Sequence, residues 1–589
     1  MSQVSLTNRG VVFVNNAGFA AIFRELAGFL ELKGENPFKI RAYTRAADIL
    51  ESLDEDVAQL AGEGQLKNIK GIGKTIEEKT QEIARSGTLK ALEDLKSEYP
   101  PGVMDMTKVP GVGSRTASLI FRELGVASID ELEKAAHDGK LKTLPGMGKK
   151  SEENILKAIE KLKEEDMTRI PLVIMDELGE SLIDFVSSHT EVHRISVVGS
   201  VRRRREACRD LDILVGMDDS SRIPDLVMSW GNFRGMISCE EDRVTFTAAD
   251  DVEVDISIVK PEDFPFALLA TTGSKQHYAS LKSHGRRLGL EFGKSGLFHK
   301  NGEIIRPTSE AGIYEALGME YIPPELREMT GEIEAALEHR LPKLLVSEDI
   351  RGDLHMHTNW SDGRESIESM VEATKALGYR YVAVTDHSRS LKIARGLSET
   401  RLFEQLEMLR QLQDRFTGIH VLSGIELEIL KDGSLDYPDS ILSRFDIVVA
   451  SVHSAFRQPE DIMTGRIIRA IRSGSVDIIA HPTGRVLGRR FGYDVDMDAV
   501  IEEAARHDVA LEINAYPERM DLDSTWARKA MERGAYIAIN TDAHNSKELH
   551  FMWYGLDVAR RAWLEQPHVI NTWSLSKLQA WLGQRRERA

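Results

Sequence analysis

From residue 350 onward the chain alternates short β-branched runs with amphipathic helical patterns. Seven such runs read RGDLHMH, YVAVTDH, HVLSGIELEI, DIVVASVH, VDIIAHP, VALEINA and YIAINTDAH, separated by stretches such as ESMVEATKALGYR and MDAVIEEAARHD. Strand–helix alternation predicts an α/β barrel of parallel strands, whose functional groups gather at the carboxyl ends of the strands. The middle of the chain has a different pattern. Residues 195–215 read as an apolar strand, a break at Gly199–Ser200, an arginine run, and a second apolar strand entered through Asp210-Leu-Asp212. The later DVEVDISIV alternates polar with β-branched residues and predicts a neighbouring strand carrying Asp255. In the first third, three helical segments are each interrupted by Gly-x-Gly before a new amphipathic helix begins: NIKGIGKTIEEKTQEI, KVPGVGSRTASLIFREL and TLPGMGKKSEENILKAI.

The glycine pairs Gly71/Gly73, Gly111/Gly113 and Gly146/Gly148 permit a tight turn that leaves backbone N–H groups free at a helix N-terminus. Such a site grips phosphates without reading sequence. A glycine-capped connector explains one copy; threefold repetition favours the anion site. The segments resemble helix-hairpin-helix motifs, which implies sequence-independent DNA contacts. Ahead of the first lies ENPFKIRAYTRAADIL, an amphipathic helix with Lys39, Arg41, Tyr43 and Arg45, of which Lys39 and Tyr43 are the candidate DNA contacts. This stretch resembles the lyase domain of β-like DNA polymerases. The position matching that family's Schiff-base lysine is Lys79, which would need a lowered pKa. The alternative is a solvated lysine beside Glu77 and Glu78.

Asp210 and Asp212, two apart on one strand, share a face. Three carboxylates on one sheet face repel unless cations lie between them, and a cation pair about 3.5–4 Å apart serves in-line phosphoryl transfer. The GS…DxD spacing resembles the nucleotidyltransferase signature of family X DNA polymerases. That resemblance implies an α+β palm in which Asp210 and Asp212 hold two Mg²⁺ or Mn²⁺ ions and Asp255 completes the catalytic site. It also implies that Gly199, Ser200 and Arg203 contact the triphosphate. In the thumb-like stretch that follows, Thr272-Gly273-Ser274 is kept, so Gly273 and Ser274 are assigned to the nucleotide. Ala270 and Thr271 stand where the family has an aromatic pair, and Tyr278 stands where it has asparagine. A small residue at the sugar gate removes the clash that rejects a 2′-hydroxyl. Weak sugar discrimination, reduced polymerase efficiency, or both are expected.

The barrel-like runs end on His355, His357, Asp362, His387, Glu426, His453, His481, Asp542 and His544. Imidazoles and carboxylates brought together from distant positions suit divalent metals. Any one of these histidines alone reads best as a core or surface imidazole, but nine donors in this pattern do not. Glu512 and Asn514 are expected to support the ligands. The set resembles the PHP domain, named for polymerase and histidinol phosphatase, which implies a distorted seven-strand barrel holding three Mn²⁺, Zn²⁺ or Fe²⁺ ions with Glu426 bridging. Arg485, just beyond His481, is the candidate phosphate contact.

Composition limits the reading without directing it. The 589 residues allow several domains; 42% hydrophobic and 29% charged content is ordinary for a globular protein. Net charge of −18 argues against nucleic-acid binding overall, but metal-binding carboxylates raise acidity while DNA contacts stay local. Two cysteines form no disulfide framework and suit a reducing cytosol. The opening MSQVSLTNRG lacks a signal-peptide pattern, and no apolar run approaches a membrane span. The expected organisation is a helical lyase-like domain (1–95), helix-hairpin-helix fingers (96–168), palm (169–262), thumb (263–322), linker (323–349) and PHP domain (350–589). The whole resembles the bacterial family X DNA polymerases with a C-terminal PHP domain. This implies a monomeric, cytoplasmic repair enzyme of the bacterial nucleoid that acts on gapped or 3′-recessed DNA with dNTPs and carries a 3′–5′ exonuclease. Abasic-site cleavage or 3′-phosphatase activity are further implications. Two alternatives are a PHP nuclease with a weakened polymerase half that mainly binds DNA, and a small-molecule phosphatase. The fully populated metal set beside the altered thumb favours the nuclease as the better-preserved activity.

Overall fold

The computed structural model describes residues 16–588 apart from positions 54, 56, 87, 101, 102, 105, 168 and 300; the MSQVSLTNRG stretch lies outside them. The chain forms two compact units, one of Met1–Thr168, Lys260–Ile322 and Glu328–His339, the other of Arg169–Val259, Pro323–Arg327 and Arg340–Ala589.

In the first unit each glycine pair sits in the same local structure. A short 3₁₀ turn (Leu66–Asn68, Met106–Lys108, Leu141–Thr143) leads through the glycines into a helix (Lys74–Ser86, Ser114–Leu124, Lys149–Met167). The turn closes with the same backbone bond each time: Ile72 N–H to Ile69 at 3.1 Å, Val112 to Val109 at 2.9 Å, and Met147 to Leu144 at 3.0 Å. The first glycine of each pair, Gly71, Gly111 and Gly146, has positive φ (+103°, +93° and +79°), where a side chain would strain the backbone.

The second glycine of each pair departs from the expectation that both are needed for the turn. Gly73, Gly113 and Gly148 lie outside the left-handed region, and a Cβ on any of them would meet nothing within 4 Å. Gly113 has φ −80° and ψ 169°, extended backbone that any residue adopts. Their place is the helix entry: the carbonyls of Gly73, Gly113 and Gly148 accept from Glu77 (3.0 Å), Ala117 (2.9 Å) and Glu152 (3.1 Å). The turn therefore requires glycine only at the first position of each pair.

Later in this unit, helices Phe264–Thr272 and Lys275–Arg287 precede a small three-stranded antiparallel sheet.

Besides a two-stranded ribbon of Ile170–Pro171 with Ala207–Cys208, the described residues of the second unit form two larger sheets. Strands β1 (Arg194–Val197), β2 (Asp210–Gly216), β3 (Phe233–Cys239), β4 (Arg243–Ala248) and β5 (Glu253–Val259) form one in the order β1-β2-β5-β4-β3. The β2/β5 pair is parallel and sets Asp212 opposite Asp255. The other sheet has seven parallel strands in sequence order: β6 (Gly352–Asp353), β7 (Tyr381–Val384), β8 (His420–Glu428), β9 (Ile447–Ser451), β10 (Ile478–Ile479), β11 (Ala510–Asn514) and β12 (Ile537–Asn540). Just past β6 and β12 the ring nearly closes through a parallel bridge between Met356 and Ala543, with Asp542 N–H donating to His355 at 3.0 Å. Closure brings the first and last histidine-bearing runs side by side. The architecture is the multidomain one expected: helical hairpin domains, an α+β palm and thumb, and a seven-strand α/β barrel. Among the described residues no helix is long and apolar enough to cross a membrane.

Two candidate metal centres

In the palm, Asp210, Asp212 and Asp255 stand on adjacent parallel strands, and Asp255 is buried. Burial and the charges of Asp210 and Asp255 push the Asp212 carboxyl up to about 6, the behaviour of a carboxylate cluster without cations. Arg243, on β4, holds Asp255 through its Nε at 2.9 and 2.8 Å. Gly199 packs directly against the cluster, where no larger residue fits. Its φ is +63°, and a Cβ there would lie 2.0 Å from Asp212 Oδ2. Three carboxylates gathered on neighbouring strands, one of them pushed up by burial and the charges of the other two, form a donor set that fits divalent cations.

The short helix Gly199–Arg202 and the turn up to Arg205 carry the arginine run. Ser200 is half-buried, the buried Cys208 thiol donates to the Arg205 carbonyl at 3.7 Å, and the charge of Arg203 bears on Asp212. Arg204 faces elsewhere. It adopts φ +57° and donates to both oxygens of Asp176 (2.6 and 2.8 Å) and to Asp557 (2.8 Å) on the helix Met552–Arg561. In the first unit, Gly273 has φ +66° and Ser274 Oγ accepts from His277 N–H at 3.3 Å, capping the helix that begins there.

At the barrel, all nine donors expected from sequence converge. His357, Asp362, His387 and His544 form one group that could hold an ion, His355, His357 and Asp542 a second, and His387, Glu426 and His453 a third; within each, the donor atoms lie within 4.8 Å of one another. His481 Nε2 is 3.2 Å from Glu426 Oε1. Glu426 Oε2 is surrounded by His387 Nδ1 at 2.6 Å and by His355 and His357 Nε2 at 3.5 Å. The buried Nδ1 atoms of His357 and His481 have no hydrogen-bond partner. Buried, unpaired imidazole nitrogens around shared carboxylates are the donor set that divalent ions complete.

The electrostatics agree. Burial and the charges of His387 and His544 depress His357 to about 4, leaving it a neutral donor. Burial opposes charging of His387 as well, yet Glu426 and Asp362 raise it to about 10. The ligands are oriented from behind. Glu512 Oε1 accepts from His355 Nδ1 at 2.8 Å and Oε2 accepts from the His481 N–H at 2.8 Å. Asn514 Nδ2 donates to Asp542 at 3.1 Å, so Glu512 and Asn514 take the supporting positions expected. Glu428 does the same for His453, at 3.1 Å.

Beside Asp362, Asp542 and His544 opens a cleft of about 430 Å³, also lined by Arg364, Tyr516 and Arg519.

Four family models match: the helix-hairpin-helix domain over residues 14–89, the SAM-like helix-hairpin-helix tandem over 103–161, the DNA polymerase beta thumb over 267–328 and the PHP domain over 353–541. A relative from Bacillus subtilis, named DNA polymerase/3′-5′ exonuclease PolX, is 37% identical over 564 residues, 95% of this chain and 98% of the relative. The chain belongs to the family X DNA polymerases that carry a PHP domain. The barrel half has smaller relatives too. A probable phosphatase of Thermoanaerobacter is 30% identical over 248 residues, 40% of this chain and 96% of its own length. One from Shewanella oneidensis is 33% identical over 202 residues, 33% of this chain and 75% of its own.

Several expected contacts are corrected by their surroundings. Tyr43 is 3% exposed and stacks on Phe23 at 5.9 Å, so its ring belongs to the core and not to a DNA surface; Lys39, by contrast, is exposed. The expected turn-forming role of Gly73, Gly113 and Gly148 is corrected as well. All three are exposed, none has positive φ, and no neighbour would obstruct a Cβ, so they leave open space at each helix entry. Arg485 donates to the carbonyls of Arg519 (3.0 Å) and Met520, which turns its guanidinium away from the cleft. Arg519 does reach the ligands, with its Nε 3.7 Å from Asp542. Arg519 left no mark in the sequence because a loop delivers it. Glu428, two residues from Glu426 on one strand, was legible from the two-residue period. Lys79 sits half-buried on its helix, next to the buried Thr80.

Proposed function

We propose that this chain extends DNA 3′ ends in its palm and shortens them at its barrel centre. The observation that carries the reading is the presence of both complete donor sets in one chain that matches the Bacillus subtilis relative over 95% of its length. Asp210, Asp212 and Asp255 would hold two Mg²⁺ or Mn²⁺ ions, and the nine barrel donors would hold three divalent ions. Such ions supply Lewis acidity toward phosphoryl oxygens and lower the pKa of water.

The protein's own groups do the rest. Arg243 fixes the Asp255 carboxylate, Ser200 and Arg203 take the triphosphate of an incoming dNTP, and Gly273 and Ser274 contact the nucleotide. The hairpin turns made by Gly71, Gly111 and Gly146, with Lys39, grip the backbone of gapped or 3′-recessed DNA. Gly73, Gly113 and Gly148 serve there by leaving the helix entries unobstructed, so that a phosphate can approach the backbone N–H groups. Glu512 holds the His355 ring so that Nε2 faces Glu426 and Asp542, where it would serve an ion. Lys79 is assigned the abasic-sugar lyase role, and the small residues Ala270 and Thr271 imply weak discrimination against ribonucleotides.

A labelled one-nucleotide-gap duplex, incubated with Mg²⁺ or Mn²⁺ and with or without dNTPs, tests the reading. Asp210→Ala should lose extension and keep shortening, and His355→Ala the reverse. Degradation that persists in His355→Ala would overturn the barrel assignment. The similarity of the barrel to probable phosphatases favours one second reading, hydrolysis of a small phosphate monoester. Comparing turnover of a free phosphomonoester with that of a 3′-recessed duplex separates the two.

A further inference from the structure

The cleft beside the barrel donors has chemistry that metal binding does not use. With Asp362, Asp542 and His544 assigned to ions, the remaining charged lining is Arg364, Arg489 and Arg519 against Glu518 and Glu548. Glu518 is paired with Arg489 at 3.2 Å, and Glu548 accepts from the His544 N–H at 2.7 Å. Glu548 keeps its charge, but three guanidinium groups against two carboxylates leave this lining net positive, with Arg519, 3.7 Å from Asp542, and the exposed Arg364 at the mouth of the ion site. Guanidinium groups there match phosphate oxygens.

Tyr516 lines the same cleft, half-buried, and meets Phe551 at 5.3 Å in a T-shaped contact. Its position is built. The Tyr516 backbone N–H donates to Asn514 Oδ1 at 3.0 Å, while Asn514 Nδ2 donates to Asp542 at 3.1 Å, so one side chain ties the main chain that carries the ring to a metal donor. The Arg519 N–H closes the turn onto the Tyr516 carbonyl at 2.7 Å. Arg485 secures the far side of that turn through the carbonyls of Arg519 and Met520. A cleft of about 430 Å³ is larger than a phosphate group needs and lies in the range of small-molecule sites. An aromatic ring beside it adds a surface on which any base can stack.

From this geometry we infer that the cleft is a subsite for one nucleoside monophosphate unit, with Arg519 taking the phosphate and Tyr516 the base. The inference rests on the phosphoesterase reading of the barrel and narrows it. The same chemistry is offered by the 3′-terminal residue of a strand and by a free mononucleotide. Stacking on Tyr516 tolerates any base, so the subsite distinguishes a nucleotide from a bare sugar phosphate without reading sequence.

Calorimetric titration of the full chain with dTMP and with 2-deoxyribose 5-phosphate, with Mn²⁺ present and after chelation, reads the subsite apart from turnover. Wild type should prefer dTMP by at least about fivefold, the low end of what stacking on an aromatic contributes. Tyr516→Ala should erase that preference and leave deoxyribose 5-phosphate binding unchanged, while Tyr516→Phe should keep it. Arg519→Gln should weaken both ligands alike. Equal binding of the two ligands by wild type, or an undiminished preference in Tyr516→Ala, would overturn the inference.

Shortening of a 3′ overhang ending in an abasic residue then identifies the source. A raised KM relative to a normal end, absent in Tyr516→Ala, assigns the subsite to strand termini. No difference, with dTMP preference intact, assigns it to free mononucleotides. A chain that binds dTMP as described yet shortens no DNA would refute the nuclease reading and leave the subsite standing.

Discussion

Arg204 and Asp557, 353 residues apart in the chain, meet at 2.7 Å. Arg204 stands in the segment that carries Gly199, Ser200 and Arg203, and Asp557 on a helix that packs against the barrel. Asp176 takes the other side of the guanidinium, and Arg561 donates to the Arg203 carbonyl at 2.9 Å. The apolar core is continuous from the palm strands into the barrel. The segment beside one candidate centre is therefore braced by the domain that houses the other.

Because of that brace, palm and barrel should unfold together. Asp557→Ala leaves a largely buried guanidinium with one carboxylate and should cost about 1–3 kcal/mol. Denaturant titration followed by probes in palm and barrel checks it: both midpoints should move. A shift confined to one probe would show that the two fold independently.

Gly199→Ala should remove extension while sparing 3′ shortening. The added methyl would fall 2.0 Å from Asp212 Oδ2 in a backbone region that L-residues avoid. Displacing a catalytic carboxylate by an ångström costs on the order of 100-fold in rate. Single-nucleotide incorporation rates measure the first effect, and degradation of the same primer serves as the control.

Glu512→Ala should lower metal affinity at the barrel by about 10–100-fold without removing a ligand. The His355 ring would lose its 2.8 Å acceptor, and the His481 N–H would lose its own. Competition with a chelator, read by metal analysis of the recovered protein, gives the number. Full metal content at chelator levels that strip no wild-type protein would contradict the role.

Proton competition sets the pH dependence. Burial opposes charge on His387 and His544, yet Asp362 together with Glu426 and Asp542 raises them to about 10 and about 9. Both are protonated in metal-free protein at neutral pH, and metal binding must expel those protons. Mn²⁺ affinity should thus rise from about pH 6.5 to about pH 9, with protons released in calorimetry across buffers of different ionisation enthalpy. Stability has the opposite sign. Folded pKa values above the unfolded value of about 6.5 contribute fully below that pH and are lost as pH rises through 9 to 10, so chelated protein should melt lower at high pH. A flat affinity profile would show that these imidazoles are neutral before metal arrives.

Much of this protein was determined by local pattern. Seven β-branched runs with helices between them specify a parallel sheet in sequence order, because each crossover returns to the adjacent edge. Strand periodicity and chain position then place nine donors at the strand ends, and Asp210 and Asp212 share a face for the same reason. The glycine repeats likewise announce their turns, although only the first glycine of each pair takes a φ that demands the residue; Gly73, Gly113 and Gly148 look identical in sequence and do not. What tertiary structure decided is where long side chains end. Tyr43 and Arg485 carry the right chemistry for DNA or phosphate, but neighbouring helices bury the first and the carbonyls of a turn engage the second. Arg519, Tyr516 and Asp557 have no periodic signal; they reach their places only because the barrel closes and packs on the palm. Periodicity records which face of an element a residue occupies. The partner across that face is set by contacts between segments hundreds of residues apart, and those exist only in the folded chain.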